Sequence, residues 1–108
     1  MTKEFYSIKE IKEYYNEETN TYVFKENGEY IDLVVFNFDL NIDADINAYD
    51  IKAHSISAWD IDALNINADD IDYYAVCFAY YNIKCKSIKG RRKNAKHFVL
   101  DGKLEVEQ

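Results

Sequence analysis

The chain has 108 residues, enough for one domain, because two separate cores would each be too small to bury sufficient apolar surface. Its 48% apolar and 16% aromatic residues exclude a disordered tail. No stretch approaches roughly 18 uncharged apolar residues, and the first residues lack the apolar core of a signal peptide. We therefore expect a cytoplasmic protein with no membrane contact.

The net charge of −7 is unevenly distributed along the chain. Residues 1–81 carry 5 Lys and Arg against 17 Asp and Glu, whereas residues 82–108 carry 8 against 3. Because an acidic body is repelled by the phosphate backbone, this distribution disfavours bulk DNA binding and favours partners with basic grooves.

A helix is predicted over about residues 8–16, beginning with a capping box formed by Ser7 and Glu10. The apolar side of this helix comprises Ile8, Ile11 and Tyr15. A hairpin follows, because Asn27-Gly28 between two runs of strand residues is the strongest short hairpin signal. We expect residues 1–44 to form an N-terminal cap from this helix and hairpin.

The sequence of residues 45–76 repeats every five residues. An internal repeat is considered before other patterns because it determines the architecture of the fold. A branched apolar residue returns at Ile46, Ile51, Ile56, Ile61, Ile66, Ile71 and Val76. Alanine follows two places later at Ala48, Ala53, Ala58, Ala63 and Ala68. A short polar residue comes directly before the branched one at Asp45, Asp50, Ser55, Asp60, Asn65 and Asp70.

A period of five fits neither a helix nor a flat strand. Five helical steps of about 100° turn each Ile about 140° from the last, so no apolar stripe forms. In a flat strand an odd period sends successive Ile residues to opposite faces. All of them point inward only if the chain bends every five residues, which predicts a β-solenoid. The Asp and Asn side chains before the isoleucines are expected to hydrogen-bond the local backbone at the bends.

After Val76 the period slips by two residues and resumes at Ile83 and Ile88. In this register Cys77 should point outward and Cys85 inward, which separates the two thiols. The chain is therefore predicted to be one mostly β domain in three parts. These are the cap (1–44), the repeat coil (45–76) and a basic segment of strands and a hairpin (77–108).

The uncharged run 73–81 has high strand propensity and would aggregate if its edge were open. Two ways of covering it are open. A C-terminal hairpin with Asp101-Gly102 as its turn could pair with it, or a second subunit could do so in a homodimer.

The Asp/Asn-Ile unit over residues 44–76 resembles the pentapeptide-repeat family. The resemblance implies a β-solenoid. Some members of that family bind gyrase as mimics of DNA. Here the small residue follows Ile by two places instead of preceding it. The cross-section therefore stays open between the family's square coil, a three-sided coil and an irregular one.

The repeat together with residues 70–94 is also similar to small uncharacterised proteins of phages and prophages. That resemblance implies the cytoplasm of a bacterial host cell. It also makes phage inhibitors of CRISPR nucleases or other defence proteins a model for the function.

No catalytic residue, metal site or cofactor is predicted, and we expect no enzyme. The three glycines cannot form a phosphate-binding loop. His54 and His97 lie far apart without a metal-ligand pattern, and the two cysteines lack CxxC spacing.

Three functions follow from the sequence. The first is a non-enzymatic inhibitor that enters the basic groove of a host nuclease or topoisomerase as an acidic DNA mimic. The second is a structural or self-assembling module. The third, disfavoured by the net charge, is a nucleic-acid binder that uses the basic segment.

Predicted partner-binding residues are Tyr49, Asp50, Trp59, Asp60, Asp62, Asp69, Asp70, Asp72 and Tyr74. Candidate contacts to nucleic acid or an acidic partner are Lys84, Lys86, Lys89, Arg91, Arg92, Lys93 and Lys96.

Overall fold

The five-residue period is the spacing between successive sides of a three-sided parallel β-solenoid. A computed structural model describes residues 1–107 of the chain. Each repeat residue pairs with the one three repeats later, as shown by the pairs Ile46–Ile61, Ile51–Ile66 and Ile56–Ile71. The prediction of a mostly β solenoid with a bend every five residues is confirmed, and its cross-section is three-sided.

The strands in chain order are β1 (Thr2–Phe5), β2 (Tyr15–Asn16), β3 (Thr21–Val23), β4 (Lys25–Glu26), β5 (Glu29–Tyr30), β6 (Asp32–Val35), β7 (Leu40–Asn41), β8 (Asp45–Asn47), β9 (Asp50–Lys52), β10 (Ser55–Ser57), β11 (Ile61–Asn67), β12 (Asp70–Tyr73), β13 (Val76–Cys85), β14 (Ser87–Gly90), β15 (Lys96–Val99) and β16 (Lys103–Val106). One short helix, α1 (Ile8–Ile11), continues into a 3-10 turn (Lys12–Tyr14). Successive parallel strands on one side stack about 4.8 Å apart.

The strands form three faces, which we number in chain order. Face 1 stacks β3, β8, the first half of β11, the first half of β13 and β15. Face 2 stacks β1, β6, β9, the second halves of β11 and β13, and β16. Face 3 stacks β7, β10, β12 and β14. Corner 1 joins face 3 to face 1, corner 2 joins face 1 to face 2, and corner 3 joins face 2 to face 3.

The core is the column of isoleucines that the repeat predicts. Ile51, Ile56 and Ile61 are each 1% exposed, although they lie on three different faces. Burying a side chain of this size contributes about 1.5–3 kcal/mol relative to leaving it exposed. The alanines two places later fill the narrow space at the corners, and of these only Ala53 is half-buried.

The Asp and Asn column before the isoleucines links successive turns of the coil, instead of hydrogen-bonding the local backbone at each bend as the sequence predicted. On face 2, Asn65 Nδ2 donates to Asp50 Oδ1 at 2.9 Å, and Asn82 Nδ2 donates to Asn65 Oδ1 at 3.2 Å. At the ends of this ladder, the backbone N–H of Asp50 donates to Asp32 Oδ1 and that of Lys103 to Asn82 Oδ1. The aspartates of face 1 also accept backbone N–H groups of the next turn. Each side chain therefore ties its turn to a neighbouring turn.

The coil begins earlier than the repeat does. Residues 21–41 already form the first turn, in the place where the sequence predicted part of a cap. The pairs that show this are Tyr22–Ile46, Leu33–Ile51 and Leu40–Ile56. The predicted turn at Asn27 and Gly28 exists, with positive φ angles of 54° and 79°, but its strands β4 and β5 have two residues each. This hairpin is a small projection at corner 2, and its insertion hides the five-residue period in the first turn.

The N-terminal end of the coil is covered by α1 and an aromatic cluster. Phe5, Ile11 and Phe24 are completely buried. The ring of Tyr14 lies 5.7 Å from that of Phe5 and 5.1 Å from that of Phe24. These side chains close the apolar interior at this end.

The helix begins as predicted and ends early. The Glu10 carboxylate accepts the backbone N–H of Ser7 at 3.0 Å, as in a capping box. After Ile11 the chain continues at three residues per turn, so Tyr14 follows Ile11 onto the buried side. The residues wrongly predicted to share that side, Ile8 and Tyr15, are exposed.

The slip in the period consists of two one-residue insertions instead of one two-residue insertion. Ile61 pairs with Cys77 and Ile66 with Ile83, with a register shift between the two halves of the β11–β13 pairing. Cys77 therefore takes the inward position that the sequence assigned to Val76. The expected outward direction of Cys77 is wrong, because its side chain is completely buried and Val76 is exposed.

The C-terminal strands cover the run 73–81, but the predicted C-terminal hairpin is wrong. β15 pairs in parallel with the first half of β13, and β16 in parallel with its second half. The two strands are thus successive sides of a further turn, and Asp101-Gly102 lies at the corner between them. A methyl group at Gly102 would overlap the backbone carbonyl of Tyr81. Parallel stacking satisfies the edge of β13 and continues the hydrogen bonding of the coil.

Replacing a single inward isoleucine should destabilise the whole coil. We expect Ile66→Ala to lower the free energy of unfolding by about 2–5 kcal/mol, because it leaves a cavity between two tightly packed turns. The exposed neighbour provides a matched control, and Asn67→Ala should change it by less than about 0.5 kcal/mol. Urea unfolding followed by circular dichroism measures both, and equal losses would contradict the assignment of the two positions.

Candidate functional site

The structure brings five of the nine predicted partner-binding residues to face 1 and its two corners. Face 1 carries Asp60 and Asp62. Corner 1 carries Trp59 and Tyr74, and corner 2 carries Tyr49. The other four lie on face 2, corner 3 or face 3, and all four have partners within the chain. The predicted set is therefore divided, and face 1 holds the larger group.

An acidic band runs across face 1 in the second and third turns. Asp45 lies one turn from Asp60, and Asn47 pairs with Asp62. Asp45 and Asp60 use one carboxylate oxygen each to accept a backbone N–H, at 3.0 Å in both cases, which fixes their positions. The outward positions of face 1 hold no Lys or Arg in the first three turns. A ligand that approaches this band therefore meets carboxylates without competing cations.

Corner 1 presents two neighbouring aromatic rings beside the acidic band. The backbone N–H of Tyr74 donates to the carbonyl of Trp59, and their rings lie 5.5 Å apart. The indole Nε1–H of Trp59 donates to Asp43 Oδ1 at 2.6 Å, which sets the orientation of the ring. Trp59 and Tyr74 remain 43% and 42% exposed. Ordered and exposed aromatic rings of this kind are typical of energetically important positions in protein interfaces.

Corner 2 forms a pocket of about 200 Å³ at the other border of the acidic band. Its lining includes Tyr49 and Asp62 from the predicted set, and the ring of Tyr30 lies 5.2 Å from that of Tyr49. Phe78 and Tyr80 close the pocket from the fourth turn, the one after that of Asp62. Sequence reasoning missed Tyr30, Phe78 and Tyr80 because all three lie outside the regular repeat. The signal that could have found them is the residue spacing per turn, which places Phe78 beside Asp62.

Asp62 is an exposed carboxylate of face 1 beside the apolar residues of the pocket. Partial desolvation raises the pKa of Asp62. Because the residue remains exposed, a cation can reach its carboxylate from solvent.

The remaining four predicted residues are occupied by contacts within the chain. Asp50 accepts the side-chain amide of Asn65 on face 2. Asp69 lies at corner 3 with an oxygen 3.2 Å from His54 Nδ1 and 3.8 Å from Lys86 Nζ. On face 3, Asp70 accepts the hydroxyl of Ser87, and Asp72 pairs with Arg91 Nη1 at 2.6 Å.

The basic residues form a ring around the last turns instead of one patch. Lys84 is on face 2, Lys89 on face 3 and Lys96 on face 1. Three of the seven pair with acidic groups, as Lys84–Glu107, Lys86–Asp69 and Arg91–Asp72. The residues without an ion pair among residues 1–107 are Lys89, Arg92, Lys93 and Lys96. The structure thus places the positive charge at one end of an otherwise acidic rod.

The two cysteines lie in the interior of the coil. Burial raises the pKa of the Cys77 thiol to about 12, so the reactive thiolate is suppressed there.

His97, in the last turn, has its Nδ1 2.8 Å from the hydroxyl of Tyr73. Within residues 1–107, no three His, Cys, Asp or Glu side chains are grouped so that they could hold a metal ion. None of the helical segments in the same range has the length and apolar character needed to cross a bilayer.

Trp59 is the only tryptophan, so its fluorescence reports the electrostatic potential beside the acidic band. We expect caesium to quench it more effectively than iodide, relative to the same ratio for N-acetyltryptophanamide, by about twofold at low ionic strength. Asp43→Asn keeps an oxygen for the indole N–H and should lower that ratio. A ratio below that of the free indole would contradict an acidic corner 1.

No family model matches the chain, and no curated protein sequence or solved structure matches it either.

Proposed function

We propose that the protein is a non-enzymatic binding module whose face 1 occupies the basic, nucleic-acid-binding groove of another protein. The observation that carries this proposal is the composition of face 1. Its second and third turns present carboxylates without a Lys or Arg, between ordered aromatic rings at corner 1 and corner 2. Charges supply attraction and fast association, and the rings supply the buried contact area.

The charge density supports competition with nucleic acid. Residues 21–72, which span the first three turns, contain ten Asp and two Glu against two Lys. Three turns cover about 14 Å of the axis at about 4.8 Å each. The net charge per unit length is therefore similar to that of duplex DNA, which carries one charge per about 1.7 Å. A groove built to bind phosphates would attract this rod.

The class of partner follows from the resemblance to phage and prophage proteins and to DNA-mimicking pentapeptide-repeat proteins. A host nuclease or topoisomerase has a groove of the required charge, and blocking that groove would inhibit it. Free nucleic acid is a poor ligand for face 1, because phosphates and aspartates repel each other.

A capture experiment with matched charge reversals tests this function. Asp62→Lys changes face 1, and Asp39→Lys makes the same change in net charge on the exposed rim of face 3. We expect the wild-type protein and Asp39→Lys to retain a bacterial protein that heparin or duplex DNA displaces. Asp62→Lys should bind that protein at least about tenfold more weakly, a loss of about 1.4 kcal/mol.

Two results would contradict the proposal. One is a captured partner that duplex DNA does not displace, or that binds both variants equally. The other is a gel shift of free DNA or RNA by the wild-type protein that Arg92→Glu abolishes, which would favour the basic segment as a nucleic-acid site.

A second candidate function, self-association, is supported by the open C-terminal end of the coil. Within residues 1–107, no element covers the last turn in the way that α1 covers the first. The inward positions of β16 are occupied by Leu104 and Val106, which are 38% and 47% exposed. The outer edges of β14, β15 and β16 have no strand neighbour within the described chain. Exposed edges and an exposed apolar interior favour docking of a second copy end to end, because open strand edges recruit further strands.

The mass of the protein in solution tests self-association. We expect sedimentation equilibrium to show a dimer whose population grows with concentration, and Leu104→Asp to abolish it by placing a charge in the joint. Leu100→Asp introduces the same charge at a 62% exposed corner position and should leave the dimer intact. A wild-type protein that stays monomeric at about 100 µM, where even a weak specific contact with a Kd near 10 µM would make most of the chains dimeric, excludes this candidate.

A further inference from the structure

We propose that the pocket at corner 2 binds the guanidinium group of an arginine side chain. The inference rests on the proposed function, because it names the side chain that the basic partner inserts into face 1. It concerns the pocket lined by Tyr30, Tyr49, Phe78 and Tyr80, with Asp62 at its border with the acidic band.

Aromatic rings line the pocket in the first, second and fourth turns. The rings of Tyr30 and Tyr49 are tilted by 30° to each other at 5.2 Å. Phe78 and Tyr80 lie in the fourth turn, and Leu64 of the third turn lies between them and Tyr49. A volume of about 200 Å³ equals that of about six or seven water molecules at about 30 Å³ each. The planar head of an arginine is small enough for this space.

One charged group in the pocket indicates the sign of the ligand's charge. Asp62 is the only charged side chain among the residues that line the pocket. It is exposed, and within residues 1–107 its carboxylate has no ion-pair partner. A cationic ligand would pair with this carboxylate, whereas an anion would be repelled and a neutral apolar group would displace water from it without compensation.

The chain already shows that this corner attracts a cation. Lys25 Nζ lies 4.5 Å from the centre of the Tyr30 ring, which is the geometry of a cation–π contact. This lysine comes from the small hairpin above the pocket and is absent from the pocket lining. The Tyr30 ring therefore already contacts one positive charge, and the pocket offers the rings of Tyr49, Phe78 and Tyr80 together with a carboxylate.

Guanidinium matches the pocket better than ammonium does. It is planar, weakly hydrated and able to stack on aromatic rings while its edge makes two parallel hydrogen bonds to a carboxylate. A lysine ammonium is strongly hydrated and cannot stack on the rings while making such a two-point contact. Arginine is also the commonest side chain in grooves that bind phosphates in two-point fashion, which agrees with the proposed partner.

Short capped peptides test the inference on the isolated protein. The probes are Gly-Arg-Gly, Gly-Lys-Gly and Gly-citrulline-Gly, where citrulline is the neutral isostere of arginine. We expect chemical shifts of the Leu64 methyl groups and the Tyr49 ring to titrate with the arginine peptide. Binding should be at least about tenfold weaker for citrulline and about threefold weaker for lysine.

Variants of the pocket separate recognition from folding. Asp62→Asn and Tyr49→Leu should each weaken the arginine peptide by about tenfold or more. Phe36→Leu removes a similarly exposed ring at corner 3 and should have no effect. Unchanged shifts of the Ile51 and Ile66 methyl groups in each variant verify that the coil is intact.

Three outcomes overturn the inference. Equal binding of citrulline and arginine would make the pocket a neutral apolar site. Tighter binding of a trimethyllysine peptide would make it an alkylammonium cage. Full affinity of Tyr49→Leu would place the ligand elsewhere. Because no partner protein is needed, failure here with intact capture of a DNA-displaceable partner refutes the arginine pocket alone, and the reverse result refutes the proposed function alone.

Discussion

The structure depends on one constraint, which is that an isoleucine must point inward every five residues while the backbone stays in parallel register. A bend at each corner meets the first requirement, and three bends return the chain to its starting side one strand spacing further on. Asp50, Asn65 and Asn82 hold the stacked strands of face 2 together through their side chains. The buried column and the polar ladders thus fix every outward position, so they determine which surface residues become neighbours.

The surface of such a coil is assembled from residues that are distant in sequence. The acidic band combines Asp45 with Asp60, and corner 1 combines Trp59 with Tyr74. Each face continues without a seam from one turn to the next because all strands of the coil are parallel. A partner can therefore contact one face over several turns at once. The ring of basic residues at the C-terminal end carries the opposite charge.

The sequence predicts the fold of the repeat well because five is incompatible with both regular periods. It does not determine the number of sides, because a square and a three-sided coil both bury a residue at Ile46, Ile51 and Ile56. Without that number, the nine predicted binding residues could not be divided among the faces. The pocket at corner 2 was missed for the same reason, together with the insertions that carry Phe78 into register with Asp62. Cys77 was misplaced because a one-residue insertion exchanges inward and outward positions.

Three repeats per turn also determine how such a chain can evolve in length. Adding or deleting 15 residues within the regular turns preserves every alignment of Ile46 with Ile61 and of their neighbours. Adding five residues would instead rotate all later residues by one third of a circle, and a tyrosine of corner 2 would move to another corner. Gene variants that differ by whole turns would keep the same binding strip at a different length, whereas variants that differ by a single unit would present a different surface on the same core.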